Sequence, residues 1–141
     1  MKKQNYMKLE FPGKHCNVDL ACEAVAAFMA QLSPNKQEYF YTKMAVTEMI
    51  ENCIYHAYKN EEGIITIRCS IIDEETLEII VRDKGCGVAD IEQAIVPMFT
   101  TMEAGHAGLG FTIAEKFMTK FKISSKVGKG TTIRMVKRLQ G

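Results

Sequence analysis

Thr47-Glu48-Met49-Ile50-Glu51-Asn52-Cys53-Ile54-Tyr55-His56 decides how this chain is read. The apolar residues Val46, Met49, Ile50, Cys53, Ile54 and Ala57 fall on one arc of a helix that the spacing predicts from about Lys36 to Tyr58. Glu48, Asn52 and His56 step along the border of that arc at intervals of four. A carboxylate and a carboxamide one turn apart can hold a magnesium ion through the neutral amide oxygen and activate a hydroxyl or a water beside it. The same residues also occur on helices as a plain solvated flank, and His56 could equally cap the helix end or touch a phosphate.

Downstream, Ile64 to Ile71 and Leu77 to Asp83 are rich in Ile and Val and flank Asp73-Glu74-Glu75, which predicts a hairpin of two strands. The second strand runs into Asp83-Lys84-Gly85-Cys86-Gly87. Glycines at a strand end permit positive φ and let backbone approach a flat ring closely, as well as making an ordinary turn. In the functional sense the Asp83 carboxylate accepts from an exocyclic amino group, which selects adenine over guanine, whose oxygen at that edge only accepts. Thr131, after Gly130, could hold that carboxylate or a bridging water.

Beyond a short helix expected at Ile91 to Ile95, Pro97 opens an irregular segment to Gly108, long enough to act as a lid and including His106. Gly108-Leu109-Gly110 precedes a helix expected from Gly110 to Phe121, so free N–H groups and the positive end of the helix dipole would face whatever lies in front of it. Phosphates suit that spot. No Walker A sequence is present, since Lys129 is followed by glycine, and no G-x-G-x-x-G lies between a strand and a helix. Lys122 to Val127 and Thr131 to Val136 predict a second hairpin.

Upstream, Tyr6 to Phe11 alternates and ends at Pro12-Gly13, the pattern of an edge strand and turn. From Val18 to Leu32, the residues Leu20, Ala24, Ala27, Phe28 and Leu32 suggest a first helix with its apolar stripe along them, ended by Ser33-Pro34-Asn35. The whole predicts a layer of helices on one sheet, an α/β two-layer sandwich with mixed, mainly antiparallel strands.

The 141 residues, 47% apolar, suit one domain spanning 1–141 with a sizeable core. Eighteen basic against 17 acidic residues give a net charge of +1, so the overall charge provides no footprint for nucleic acid or an anionic membrane. Five scattered cysteines without a C-x-x-C pair argue for reduced thiols in cytosol rather than a disulfide framework or zinc site. Without a secretory-type or membrane-spanning apolar run, the expected location is cytoplasmic. The nine methionines are mostly at core spacing.

Taken in order, Glu-x-x-x-Asn, Asp-x-Gly-x-Gly, Gly-Leu-Gly and Gly-x-Gly-Thr resemble the Bergerat-fold (GHKL) ATPases, which include gyrase, the heat-shock chaperone, histidine kinases and mismatch-repair proteins. Val25-Ala26-Ala27-Phe28, Pro97-Met98-Phe99-Thr100-Thr101 and Gly110-Phe111-Thr112-Ile113 look like the anti-sigma F factor branch. The resemblance covers nearly the whole chain. It implies ATP or ADP with magnesium as ligands, a sporulation sigma factor of RNA polymerase as one partner, and an anti-anti-sigma factor phosphorylated on serine as another. A homodimer is implied too, with no direct contact to nucleic acid or membrane. By the same resemblance Glu48 is the catalytic base, Asn52 the magnesium ligand and Asp83 the adenine-selecting carboxylate. Gly85 and Gly87 form the first glycine box, Gly108, Leu109 and Gly110 the second, and Gly130 with Thr131 the last. His56 belongs to the nucleotide site, and Thr100 and Thr101 open the lid. Two departures stand out: Cys22 where such proteins tend to carry a partner-contacting arginine, and His106-Ala107 in a slightly short lid. They leave open a nucleotide-gated sigma-binding protein without phosphoryl transfer, while the shared lid and glycine boxes leave a stand-alone histidine-kinase-like ATPase domain as a further reading.

Overall fold

The computed structural model describes residues 4–54, 63–83, 114–126 and 130–140. Five strands make one sheet: β1 (Asn5–Pro12), β2 (Ile64–Asp73), β3 (Thr76–Asp83), β4 (Lys120–Lys126) and β5 (Gly130–Arg138). Their spatial order is β1-β2-β3-β5-β4, and every neighbouring pair is antiparallel. The mixed sheet expected from sequence is therefore antiparallel throughout its described part, with β1 on an edge as its alternation predicts. Two helices, α1 (Val18–Met29) and α2 (Lys36–Asn52), pack on one face.

Alternation does the sorting between the two faces of the sheet. Ile65, Ile67, Cys69 and Ile71 of β2 and Leu77, Ile79 and Val81 of β3 point under the helices and are buried, as are Ile133 and Met135 of β5. Each such side chain contributes roughly 1.5–3 kcal/mol when fully removed from water. The β2–β3 turn is tightened where the Asp73 side chain accepts from the Glu75 backbone N–H at 3.0 Å. That bond is the chief reason the Asp73 carboxyl sits below the usual carboxylate range.

α1 has a different inward stripe from the one expected. Leu20 is 59% exposed and Ala27 is also exposed, whereas Val18, Ala21, Cys22, Val25, Phe28 and Met29 face the core. Leu20 is two residues from Val18 and from Cys22, so it cannot share their side of a helix that turns 100° per residue. The small Ala21 and Cys22 are buried on the inward side instead. The helix ends in a short 3-10 turn, Ala30–Leu32, closed by Ser33 at φ 50° immediately before Pro34.

α2 begins in a reciprocal cap. Asn35 Oδ1 accepts from Glu38 N at 2.8 Å, and Glu38 Oε1 accepts from Asn35 N at 3.0 Å. Residues 114–117 are helical, but the helix expected to reach Phe121 gives way to β4 at Lys120. Phe121 and Ile123 then alternate opposite Met135 and Ile133, so a period of two prevails where the local apolar spacing suggested a helix. Phe117 holds the preceding turn on α2 through a ring contact with Tyr41, centroids 5.2 Å apart. The expected helix at 91–95 and the lid lie outside the described residues, as does the part of the second helix beyond residue 54.

Candidate functional site

Two element ends meet at the candidate site: the last turn of α2 and the last residue of β3. On α2, Glu48 is half-buried and Asn52 is 5% exposed. The Asn52 Nδ2 donates to the Glu48 backbone carbonyl at 2.8 Å, which fixes the carboxamide along the helix. Its Oδ1 is buried and accepts from no group among the described residues. Two buried hydroxyls, of Thr42 and Ser70, are also unpartnered. Asn52 differs from them in its setting, one turn beyond a carboxylate-bearing residue and beside Cys53. A buried carbonyl-type oxygen without a donor costs free energy. A cation would remove that cost, and hard oxygens are what magnesium takes. The donor set therefore fits the ion that the sequence predicts at Asn52. Residues 53–54 continue the helix as a π turn, a distortion that recurs at functional sites.

Across from this end, Asp83 closes β3 and is 4% exposed. It pairs in register with Ile65 on one side and Thr131 on the other. The Thr131 backbone N–H donates to Asp83 Oδ1 at 3.3 Å. Gly130, at φ 104°, makes that possible by entering β5 through a conformation closed to residues with a Cβ. Thr131 thus holds the carboxylate, as its position suggested, with its main chain.

The buried Cys53 thiol lies close enough to Asp83 for the carboxylate to act on it, which brings the end of α2 beside the end of β3 at the site. Burial pushes this thiol's pKa well up, and the Asp83 charge pushes it further, so Cys53 stays a neutral thiol. Sequence reasoning placed Cys53 in the helix core and missed the contact. The available signal was its place one residue past Asn52, turned toward the strand layer. Asp83 is thus a carboxylate sunk at a strand end and, among the described residues, oriented by Thr131 and Cys53.

Cys22 lies 4% exposed, its Sγ 2.9 Å from Thr47 Oγ1 between α1 and α2. The position belongs to helix packing, and the exposed side of α1 instead carries Asp19, Leu20 and Glu23. Of the predicted site, Glu48, Asn52, Asp83, Gly130 and Thr131 are described. His56, Gly85, Gly87, Thr100, Thr101, Gly108, Leu109 and Gly110 lie outside the described residues.

With this geometry in view, comparison with known proteins defines the class. Residues 11–137 match the histidine kinase-like ATPase domain. The RsbU and RsbW domains of a Mycobacterium tuberculosis protein share the fold at a TM-score of 0.70 and 15% identity, over 96% of this chain and 32% of that one. The mycobacterial sensor histidine kinase MprB does so at 0.58 and 16%, over 96% and 99%. Anti-sigma F factors are far closer in sequence. That of Caldanaerobacter subterraneus subsp. tengcongensis is 47% identical over 97% of this chain and 96% of its own length. That of Clostridium acetobutylicum is 40% identical over 96% and 94%. The chain is a histidine kinase-like ATPase domain and belongs to the anti-sigma F factor family.

Proposed function

We propose that the chain sequesters a sporulation-type sigma factor and transfers the terminal phosphoryl group of ATP to a serine of an anti-anti-sigma partner. The observation that carries this reading is Asn52 Oδ1, buried and unpartnered among the described residues one turn from Glu48, at the helix end that Cys53 brings beside Asp83. Membership in the anti-sigma F factor family supports the partners. A cytoplasmic homodimer, acting in transcription regulation without touching nucleic acid or membrane, completes the reading. Among the described residues no helix is long and apolar enough to cross a membrane.

In this reading Asp83 accepts from the adenine amino group and discriminates against guanine, held in place by Thr131 N–H and the Cys53 thiol. Asn52 Oδ1 would hold magnesium, which when bound would neutralise phosphate charge. The partner's serine oxygen forms a bond to phosphorus as the bond to ADP breaks, and Glu48 accepts the serine proton. Positioning provides most of the acceleration. The predicted glycine boxes, His56, Thr100 and Thr101 complete the cradle for the phosphates.

Glu48→Ala tests the assignment. Loss of a general base costs about 10²–10⁴ in rate, so labelled ATP should still bind by calorimetry while transfer of label to the partner serine nearly stops. Transfer at the parental rate removes Glu48 from the role. Parental protein that binds its sigma factor in an ATP-dependent way yet never labels the partner is a nucleotide-gated binder without kinase activity.

A further inference from the structure

The sheet face turned away from α1 and α2 carries an unusual row. Strand register aligns Lys8 with Arg68, Arg68 with Ile80, Ile80 with Arg134, and Arg134 with Lys122. Four cations thus lie in one line across all five strands, a span of about 19 Å at the usual strand spacing. Two of the cross-strand pairs, Lys8 with Arg68 and Arg134 with Lys122, set like charges directly opposite each other, an arrangement that destabilises a sheet.

Internal carboxylates relieve half of the row. Arg134 Nε lies 2.7 Å from Glu78 Oε2, and Lys8 Nζ is 3.7 Å from Glu10 Oε1. Arg68 and Lys122 are exposed and have no ion pair among the described residues. A chain with net charge of only +1 has therefore gathered cations on one open surface at a cost to its own stability.

We propose that this face docks an acidic segment of a partner protein, laid across the strands. Carboxylates three and four residues apart on a helix recur about every 5–6 Å along one side, close to the one strand spacing of about 4.8 Å between Arg134 and Lys122. Two such steps reach over the Ile80 strand toward Arg68, about 9.6 Å from Arg134. Such a helix can put one carboxylate on each of Arg68, Arg134 and Lys122. The registers on either side of the row mix charges, Glu10 with Arg82 and Glu78 with Lys120. The line of unmixed charge is therefore one residue wide, the width of one helix edge, and a nucleic-acid duplex is the competing occupant in the test. A second copy presenting the same face would bring the row against itself.

Fluorescence anisotropy at about 0.15 M salt provides the test. The probe is a labelled alanine-rich helical peptide of about 18 residues with glutamates at helical spacing, beside its glutamine counterpart and a short DNA duplex. The acidic peptide should bind, its counterpart should not, and Arg68→Glu with Lys122→Glu should weaken binding about tenfold or more. The equally large charge change Lys36→Glu with Lys116→Glu, at exposed positions on the helical layer, should leave binding unchanged. Circular dichroism and melting report that both variants fold. The inference is overturned if the parental chain ignores the acidic peptide, if both variant pairs weaken it equally, or if the duplex binds as tightly. A change of oligomeric state confined to the Arg68/Lys122 variant overturns it as well, since the face would then be a self-interface.

Discussion

The two ends of α2 treat buried polar groups in opposite ways. At the start, Glu38 is 4% exposed and both carboxylate oxygens are engaged: Oε1 accepts from Asn35 N at 3.0 Å and Oε2 from Gln140 N at 2.7 Å. That end is closed, stapling the chain's last residues onto the helix start. At the other end Asn52 is equally buried, yet among the described residues only its nitrogen is used. A fold that can satisfy a buried carboxylate twice over has not satisfied a carboxamide 14 residues later. The physical difference is the partner: the first group is completed by the chain itself, whereas in the proposed function the second is left for a magnesium ion.

Substitution at each end should separate those roles. The largest effect is expected for Asn52→Ala. It removes one hydrogen bond worth about 1 kcal/mol together with the cost of the orphaned oxygen, so the melting temperature should hardly move. Phosphoryl transfer should fall by about 10² or more, the scale of losing one preorganised electrostatic contact. A large loss of stability with kinetics intact would erase the contrast between the ends. Glu38→Ala should do the reverse. Hydrogen bonds to a charged, buried group are worth about 1.5–3 kcal/mol each, so denaturant melts should show a loss of about 2–4 kcal/mol while nucleotide affinity at low temperature stays at the parental value.

At neutral pH the smallest effect is expected at a buried group with no proposed ligand role. Burial raises the Cys69 thiol, in the sheet core, to about 12, above an unfolded value of 9.0. A folded pKa above the unfolded one means that this contribution is whole below pH 9 and fades as pH rises toward 12. Stability of the parental chain should therefore drop in that window, by at most about 1.4 kcal/mol per pH unit for one proton. Cys69→Ala should be less stable at pH 7 by about 1 kcal/mol and should show a shallower decline above pH 9. Equal slopes would show that the thiol does not titrate with unfolding.

Much of this was legible along the chain. The runs at Ile64 to Ile71 and Leu77 to Asp83 alternate so regularly that β2 and β3 appear where expected, and Tyr6 to Phe11 reads correctly as an edge. Glu48 and Asn52 could be singled out because chemistry at fixed spacing on one element survives without coordinates, and Asp83 and Thr131 because each stands beside a glycine motif. The Asn35-Lys36-Gln37-Glu38 cap was equally visible in the residues, although the helix start was placed without using it. The errors fall where neighbours decide. On α1, a stripe through Leu20 and one through Cys22 are both plausible on the helix alone, and only the sheet underneath selects the second. At Lys120 the helical spacing continues in the residues, but pairing with β5 supplies hydrogen bonds that an isolated helix end lacks.

Composition, period and the order of polar motifs were enough to determine a two-layer fold and to single out candidate residues for a nucleotide site, since backbone periodicity and side-chain chemistry are local properties. Tertiary structure alone decided the rest: that Cys53 meets Asp83, that Thr131 holds it by a main-chain N–H, that Cys22 faces inward, and that four cations from four strands share one row. Each depends on which strand lies beside which and in what register, a long-range pairing that no local window of residues contains.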